Sequence, residues 1–265
     1  MEDIELDVNQ FYAIEGEKPL DNLVTDGGFC GIFRTIGVVG DSLASGEFES
    51  YMEGIRGYHD FYEYSWGQYM ARVLGSKVYN FSRGGMTAKE FVENYAAKCG
   101  IYDYDKLCQA YIIALGVNDS NNNFELGDVD RAFHENPTSK NQSFLVYYAR
   151  IIKSIKVKQP KAKIFLMTMP YQSEEQEEVK LKKDAYNEGI RALAEKYANT
   201  YVLDFGKYAP AYDEKFTKTF FRGHMTPTGY LLTSKMVMSY IDWIIRNNPD
   251  DFAEVGLIGT PYSYN

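Results

Sequence analysis

Five short runs along the chain are apolar almost throughout, with little polar alternation: Thr35–Val39, Lys77–Asn80, Ala110–Leu115, Lys163–Thr168 and Thr200–Asp204. A strand with one face in water alternates, whereas a strand covered on both faces does not, so these runs predict strands inside a layered fold. Between them the apolar positions recur at helical spacing, over Trp66–Leu74, Ala88–Lys98, Phe144–Lys158 and Glu174–Tyr197, and a last helix is predicted over Thr228–Arg246. Strands and helices in alternation predict a parallel sheet with right-handed crossovers and helices on both faces. The expected fold class is α/β, a three-layer α/β/α sandwich on a five-stranded parallel sheet, with the flavodoxin-like strand order 2-1-3-4-5. In that order ligands bind beyond the carboxyl ends of the strands, where strands 1 and 3 part.

Two long connections, Gly46–Tyr64 and Ser120–Gln142, follow these same two strands and read as loops. Residues 1–30 lack clear periodicity and read as an arm over the surface, and residues 247–265 as a tail. No repeat, low-complexity tract or linker divides the chain, so a single domain over 1–265 is expected.

Composition adds exclusions. Hydrophobic residues at 45% and charged residues at 25% are the balance of an ordinary globular protein. A net charge of −9, with the two signs mixed along the chain, argues against a nucleic-acid partner and against an anionic membrane surface. No apolar run approaches the ~20 residues of a membrane span. The three cysteines, Cys30, Cys99 and Cys108, are odd in number and lack CxxC spacing, which predicts reduced thiols rather than disulfides or a zinc site. The opening MEDIELDVNQ is acidic and has no apolar signal core, so a cytoplasmic protein is expected. The oligomeric state is not legible.

Four segments carry candidate chemistry. The first is Gly40-Asp41-Ser42-Leu43 after strand 1, a serine on a tight turn at the sheet edge with small neighbours. Ser and Asp in such a turn also cap helices, and the motif alone serves both readings. Next comes Asn80 to Thr87 after strand 2, with the Gly84-Gly85 pair offering bare backbone N–H. Gly116-Val117-Asn118-Asp119 after strand 3 provides an amide donor of the kind a developing oxyanion needs, although an Asx turn would look the same. The last, Gly223-His224-Met225-Thr226-Pro227, precedes the final helix, and histidine is the side chain best suited to take a serine proton near neutral pH. The other two histidines, His59 and His134, lie in the long loops among polar neighbours and read as surface residues.

Taken in order, the four segments resemble the motif blocks of the SGNH (GDSL-type) hydrolases, over roughly Thr35 to Arg246. GDSL around Ser42 and GxND over Gly116–Asp119 match in full. Gly85 and Thr87 match the second block, although Ser82 stands where a Gly is common. His224, Pro227 and Gly229 match the last block in part. The resemblance implies an esterase with Ser42 as nucleophile and His224 as base, and an oxyanion hole made by the Ser42 and Gly85 N–H groups and the Asn118 amide. It implies no metal and no organic cofactor.

One position departs. The family usually places an Asp three residues before the His to hold the imidazole and stabilise the imidazolium, and here that position is Phe221. A main-chain carbonyl near Phe221 is the foremost substitute. A carboxylate folding back from Asp204, Asp213 or Glu214 is a second, and a weak or inactive enzyme a third. The 23 Tyr and 16 Phe residues, several in the first long loop (Phe48, Tyr51, Tyr58, Phe61, Tyr62, Tyr64), suit sugar faces and point to a small-molecule or oligosaccharide ester, with acetyl esters of carbohydrate expected. Loop packing is the plainer reading of the same rings. A lipase or thioesterase of the family, a non-catalytic module binding acylated sugars, and a flavodoxin-like phosphate or flavin binder are the alternatives.

Overall fold

The computed structural model describes residues 8–136 and 142–264; the first seven residues of the expected arm, residues 137–141 of the expected second loop, and Asn265 lie outside it. In chain order the strands are β1 (Thr35–Gly40), β2 (Glu47–Met52), β3 (Ile55–Asp60), β4 (Lys77–Ser82), β5 (Ala110–Ala114), β6 (Lys163–Met167), β7 (Thr200–Leu203), β8 (Phe221–Arg222) and β9 (His224–Met225). β4, β1, β5, β6 and β7 form one parallel sheet in that order, which is the expected 2-1-3-4-5 among the five predicted strands.

Side chains along these strands alternate between two cores because successive Cβ atoms point to opposite faces. Val39, Ile113, Ile164 and Leu166 pack on one side with Phe144, Ile151, Tyr186 and Leu193 from the Phe144–Lys158 and Glu177–Lys196 helices. Ile36, Val38, Ile112 and Phe165 pack on the other with Met70 of the Trp66–Leu74 helix and Met236 and Ile241 of the Pro227–Asn247 helix. Burial of both faces explains why the strands read as continuous apolar runs. The helices start where local chemistry dictates. Ser65 accepts from Gln68 N at 3.3 Å and Gly75 ends that helix in the left-handed conformation, while Thr226 accepts from Gly229 N at 3.3 Å with Pro227 in the first turn.

Three expectations are corrected. The segment predicted as the first long loop is an antiparallel β2–β3 hairpin; its Glu53-Gly54 turn has φ of 53° and 81°, the positive pair that a two-residue hairpin turn requires. The second long loop contains a helix, Val129–His134, capped by Asp128 through Arg131 N at 2.8 Å. The predicted Ala88–Lys98 helix is helical but passes through a π-turn over Phe91–Tyr95. The expected C-terminal tail packs onto the body: Phe252 is buried, with its ring 5.1 Å from Tyr201 and 6.4 Å from Phe165. The arm, for its part, is pinned along the last helix. Trp243 Nε1 donates to Glu17 O at 3.0 Å, and Arg246 pairs with Glu17 at 2.7 Å.

Replacing Ile112, fully buried in the central strand β5, by Ala should cost about 2–5 kcal/mol in urea unfolding. A cost below ~1 kcal/mol would mean that the sheet does not carry the core in this way.

Candidate active site

The ends of β1, β4 and β5 converge where the strand order reverses. Ser42 opens a one-turn helix, Ser42–Ser45, directly after β1, and Asp41 caps that turn by accepting from Leu43 N at 3.0 Å. The turn can lie this close to the sheet because Gly40 has no side chain; a Cβ there would fall 2.5 Å from Ala44 Cβ. Beyond β4, Gly85 has φ of +71° and an open face, with no heavy atom within 4 Å of where a Cβ would stand. Beyond β5, Asn118 Nδ2 donates to Met86 O at 3.0 Å and lies 3.5 Å from Asp41 Oδ2, so its second N–H is only loosely held. Asp119 accepts from Ala88 N at 3.0 and 3.2 Å through its two oxygens, which ties the β5 loop to the β4 loop. Burial pushes the Asp41 carboxyl up to about 7 and that of Asp119 up to about 6.

His224 enters from the β8–β9 ribbon, which turns tightly at Gly223 and pairs Arg222 with His224. Ser42, Leu43, Asn118, Tyr212, Phe221 and His224 line one cleft of about 440 Å³. Three of the four expected site residues therefore share a cavity wall, and Gly85 is exposed on the loop that Asn118 braces. His59 and His134 are exposed, as expected for surface residues.

The carboxylate beside His224 is one that sequence reasoning missed. His224 Nε2 lies 3.0 Å from Glu47 Oε1, with the two side chains only 20% and 12% exposed. Residues i and i+2 of a strand share a face, and in this hairpin Glu47, Glu49, Tyr58 and Asp60 form the face turned to the imidazole. The Tyr58 ring meets it edge-on at 5.6 Å. The expected substitutes are occupied elsewhere. Asp204 is bonded to Arg191 and Thr168, Asp213 caps the helix over Glu214–Phe220 through Phe216 N at 2.7 Å, and Glu214 pairs with Lys218. No main-chain carbonyl takes the other nitrogen, because His224 Nδ1 is buried without a hydrogen-bond partner. The one signal in the sequence was the Glu53-Gly54 dipeptide, which marks a tight turn.

The profile of the GDSL-like lipase/acylhydrolase family matches residues 38–232. The chain belongs to that family. Membership makes this GDSL-like protein an ester hydrolase, and the solved structures similar to it have the same SGNH fold. One is described as a possible lipase from Chitinophaga pinensis DSM 2588, at TM-score 0.54 and 16% identity, with 84% of this chain and 99% of that one covered. Another is an active site mutant of a family two carbohydrate esterase from Clostridium thermocellum, at TM-score 0.54 and 14% identity, covering 82% and 64%. A third is a family 2 carbohydrate esterase with a carbohydrate binding domain from Corynascus thermopiles (Myceliophthora fergusii), at TM-score 0.53 and 15% identity, covering 84% and 67%. No curated protein sequence matches the chain.

In this GDSL-like hydrolase, burial lowers the His224 pKa below its ordinary value. The Glu49 and Asp60 carboxylates oppose that shift and Arg56 reinforces it, and burial wins. Glu47 is raised, by burial first and by Asp60 second. Both shifts favour the uncharged form of their group, so burial weakens the ionic character of the pair. Among the described residues no group of three His, Cys, Asp or Glu side chains is placed to hold a metal ion.

Titration of the His224 imidazole by NMR should give a midpoint below the ordinary 6.5, so that the neutral form persists further into acid. A midpoint above that value would mean that the carboxylates, not burial, set the charge.

Proposed function

We propose that the protein cleaves short-acyl esters of carbohydrates by a Ser42–His224 acyl-enzyme mechanism. The observation that carries this is the meeting of Ser42, Asn118 and His224 on the wall of one cleft at the sheet's switch point. In the first half-reaction Ser42 Oγ bonds the ester carbon as its proton passes to His224. The oxyanion is held by the Ser42 and Gly85 N–H groups and by the loosely held N–H of Asn118. His224 then gives that proton to the leaving alcohol. Water attacks the acyl-enzyme in the same way and releases the acid.

Two features support the choice of substrate. An apolar recess of about 50 Å³ shares Leu43, Val117 and Tyr212 with the cleft and is closed further in by Trp66, Met169 and Phe205. Its apolar lining suits the acyl group of an ester. Rings near the hairpin, among them Tyr51, Tyr58, Phe61 and Tyr62, are exposed and present flat faces with polar tips of the kind sugars stack on. Two of the solved structures of like fold are described as carbohydrate esterases.

Wild-type protein should turn over p-nitrophenyl acetate at pH 8, while Ser42→Ala loses at least ~10³-fold in kcat and Asn118→Ala loses ~10²–10³-fold. Equal rates for wild type and Ser42→Ala would remove Ser42 as nucleophile. In competition, acetylated xylose oligomers should be preferred over long-chain esters, and the opposite preference would sink the carbohydrate reading.

A further inference from the structure

We infer that Glu47 is the positioning carboxylate of the catalytic imidazole, supplied by the hairpin that follows the nucleophile, in the role the family gives to an Asp three residues before the His. The inference rests on the reading of Ser42 and His224 as the catalytic pair and names what orients that pair.

Four observations point to Glu47. The Glu47–His224 contact is short, 3.0 Å, and shielded, so its electrostatic value is not dissipated into water. The neighbouring carboxylates have other partners: Glu49 is bonded to Arg56 at 2.6 Å and to Tyr51 OH at 3.0 Å, and Asp60 takes the Ser45 hydroxyl. The backbone of Glu47 is fixed as well, because Tyr230 OH donates to Glu47 O at 2.6 Å and Phe61 N donates to Gly46 O at 3.0 Å. Finally, room for the carboxylate is made by Gly84, where a Cβ would fall 1.9 Å from Glu47 Oε2. Since Gly46 N also bonds Ser42 O, nucleophile and orienting carboxylate belong to one short rigid unit.

The contact has a consequence for the proton. A proton on Nε2 faces the Glu47 carboxylate at 3.0 Å, so the carboxylate favours that tautomer. The imidazolium formed when His224 takes the Ser42 proton keeps its Nε2–H toward the same carboxylate. The charged and titratable groups facing the ring are Glu47, Glu49, Arg56, Tyr58 and Asp60 of the hairpin, with Asp41 beneath Ser42 and Arg222, on the ring's own ribbon, turned to the Lys218 and Phe221 carbonyls.

The test compares wild type, Glu47→Gln and Glu47→Asp. Glu47→Gln keeps the shape and should lower kcat roughly 10²–10⁴-fold with little change in KM. It should also move the acid limb of the kcat/KM profile to lower pH, because the imidazolium loses its anion. Glu47→Asp should recover part of kcat and return the limb toward the wild-type position. Without any substrate, ¹⁵N NMR of wild type should show the Nε2–H tautomer of His224. An active wild type whose Glu47→Gln variant keeps both rate and profile would overturn the role of Glu47 and leave the Ser42–His224 reading standing. A wild-type Nδ1–H tautomer would overturn it whatever the activity, whereas turnover insensitive to Ser42→Ala would instead remove the reading on which it rests.

Discussion

The 3.0 Å contact between His224 Nε2 and Glu47 Oε1 links two parts of the molecule that lie far apart in sequence. His224 comes from a two-residue ribbon near the C-terminal helix, Glu47 from the hairpin after the first strand, and the contact exists only because the hairpin lies across the ribbon. The hairpin is held at its base by aromatic packing, with the Phe48 ring 5.8 Å from Tyr230, 5.6 Å from Tyr64 and 5.7 Å from Phe61. Its opposite face carries the acidic groups toward His224. A buried carboxylate without a partner is costly, and an imidazole free to rotate is a poor base. Each group answers the other's requirement.

The remaining candidate groups are placed by the sheet. Parallel strands that part at a switch point leave their carboxyl ends around a crevice, and the loops after β1, β4 and β5 fill it with Ser42, Gly85 and Asn118. Those loops are tied to one another rather than left free. Asp119 takes the Ala88 N–H across the gap, Asn118 takes hold of the Met86 carbonyl, and Asn80 Nδ2 donates to Ala44 O at 3.3 Å. Cross-ties of this kind fix donors before substrate arrives, which is what makes electrostatic stabilisation effective. The cost is a set of buried acids, Asp41 and Asp119, whose carboxyls are raised toward neutrality.

Most of this frame was legible in the sequence, for a physical reason. Val38 and Ile112 on one face of the sheet and Val39 and Ile113 on the other are all buried, and strands covered on both faces show as plain apolar runs whatever surrounds them. The motif residues at the strand ends were likewise visible, because turn geometry there demands Gly, Ser and Asn. The hairpin was not. Its Glu47–Met52 and Ile55–Asp60 strands are mostly polar and half exposed, so hydrophobicity gives no strand signal, and only Glu53-Gly54 marked the turn. Glu47 was missed for a related reason: the Phe221 position drew attention to carboxylates near it in sequence, whereas the partner comes from 177 residues earlier, as 224 less 47 shows. Long-range contacts of polar side chains leave no periodic trace. The packing of the C-terminal segment was not legible, because Phe252, Val255 and Ile258 are too few and too widely spaced to form a pattern, yet all three are buried.

The central claim, that His224 activates Ser42 in this cleft, is tested most directly by reacting the intact protein with a fluorophosphonate and locating the adduct by mass spectrometry. Such reagents phosphonylate a serine made nucleophilic by a neighbouring base, expel fluoride, and require neither a natural substrate nor turnover. The account predicts one adduct, on Ser42, formed by wild type and lost in His224→Ala. An unreacted wild type, an adduct on another residue, or equal labelling without His224 would contradict it.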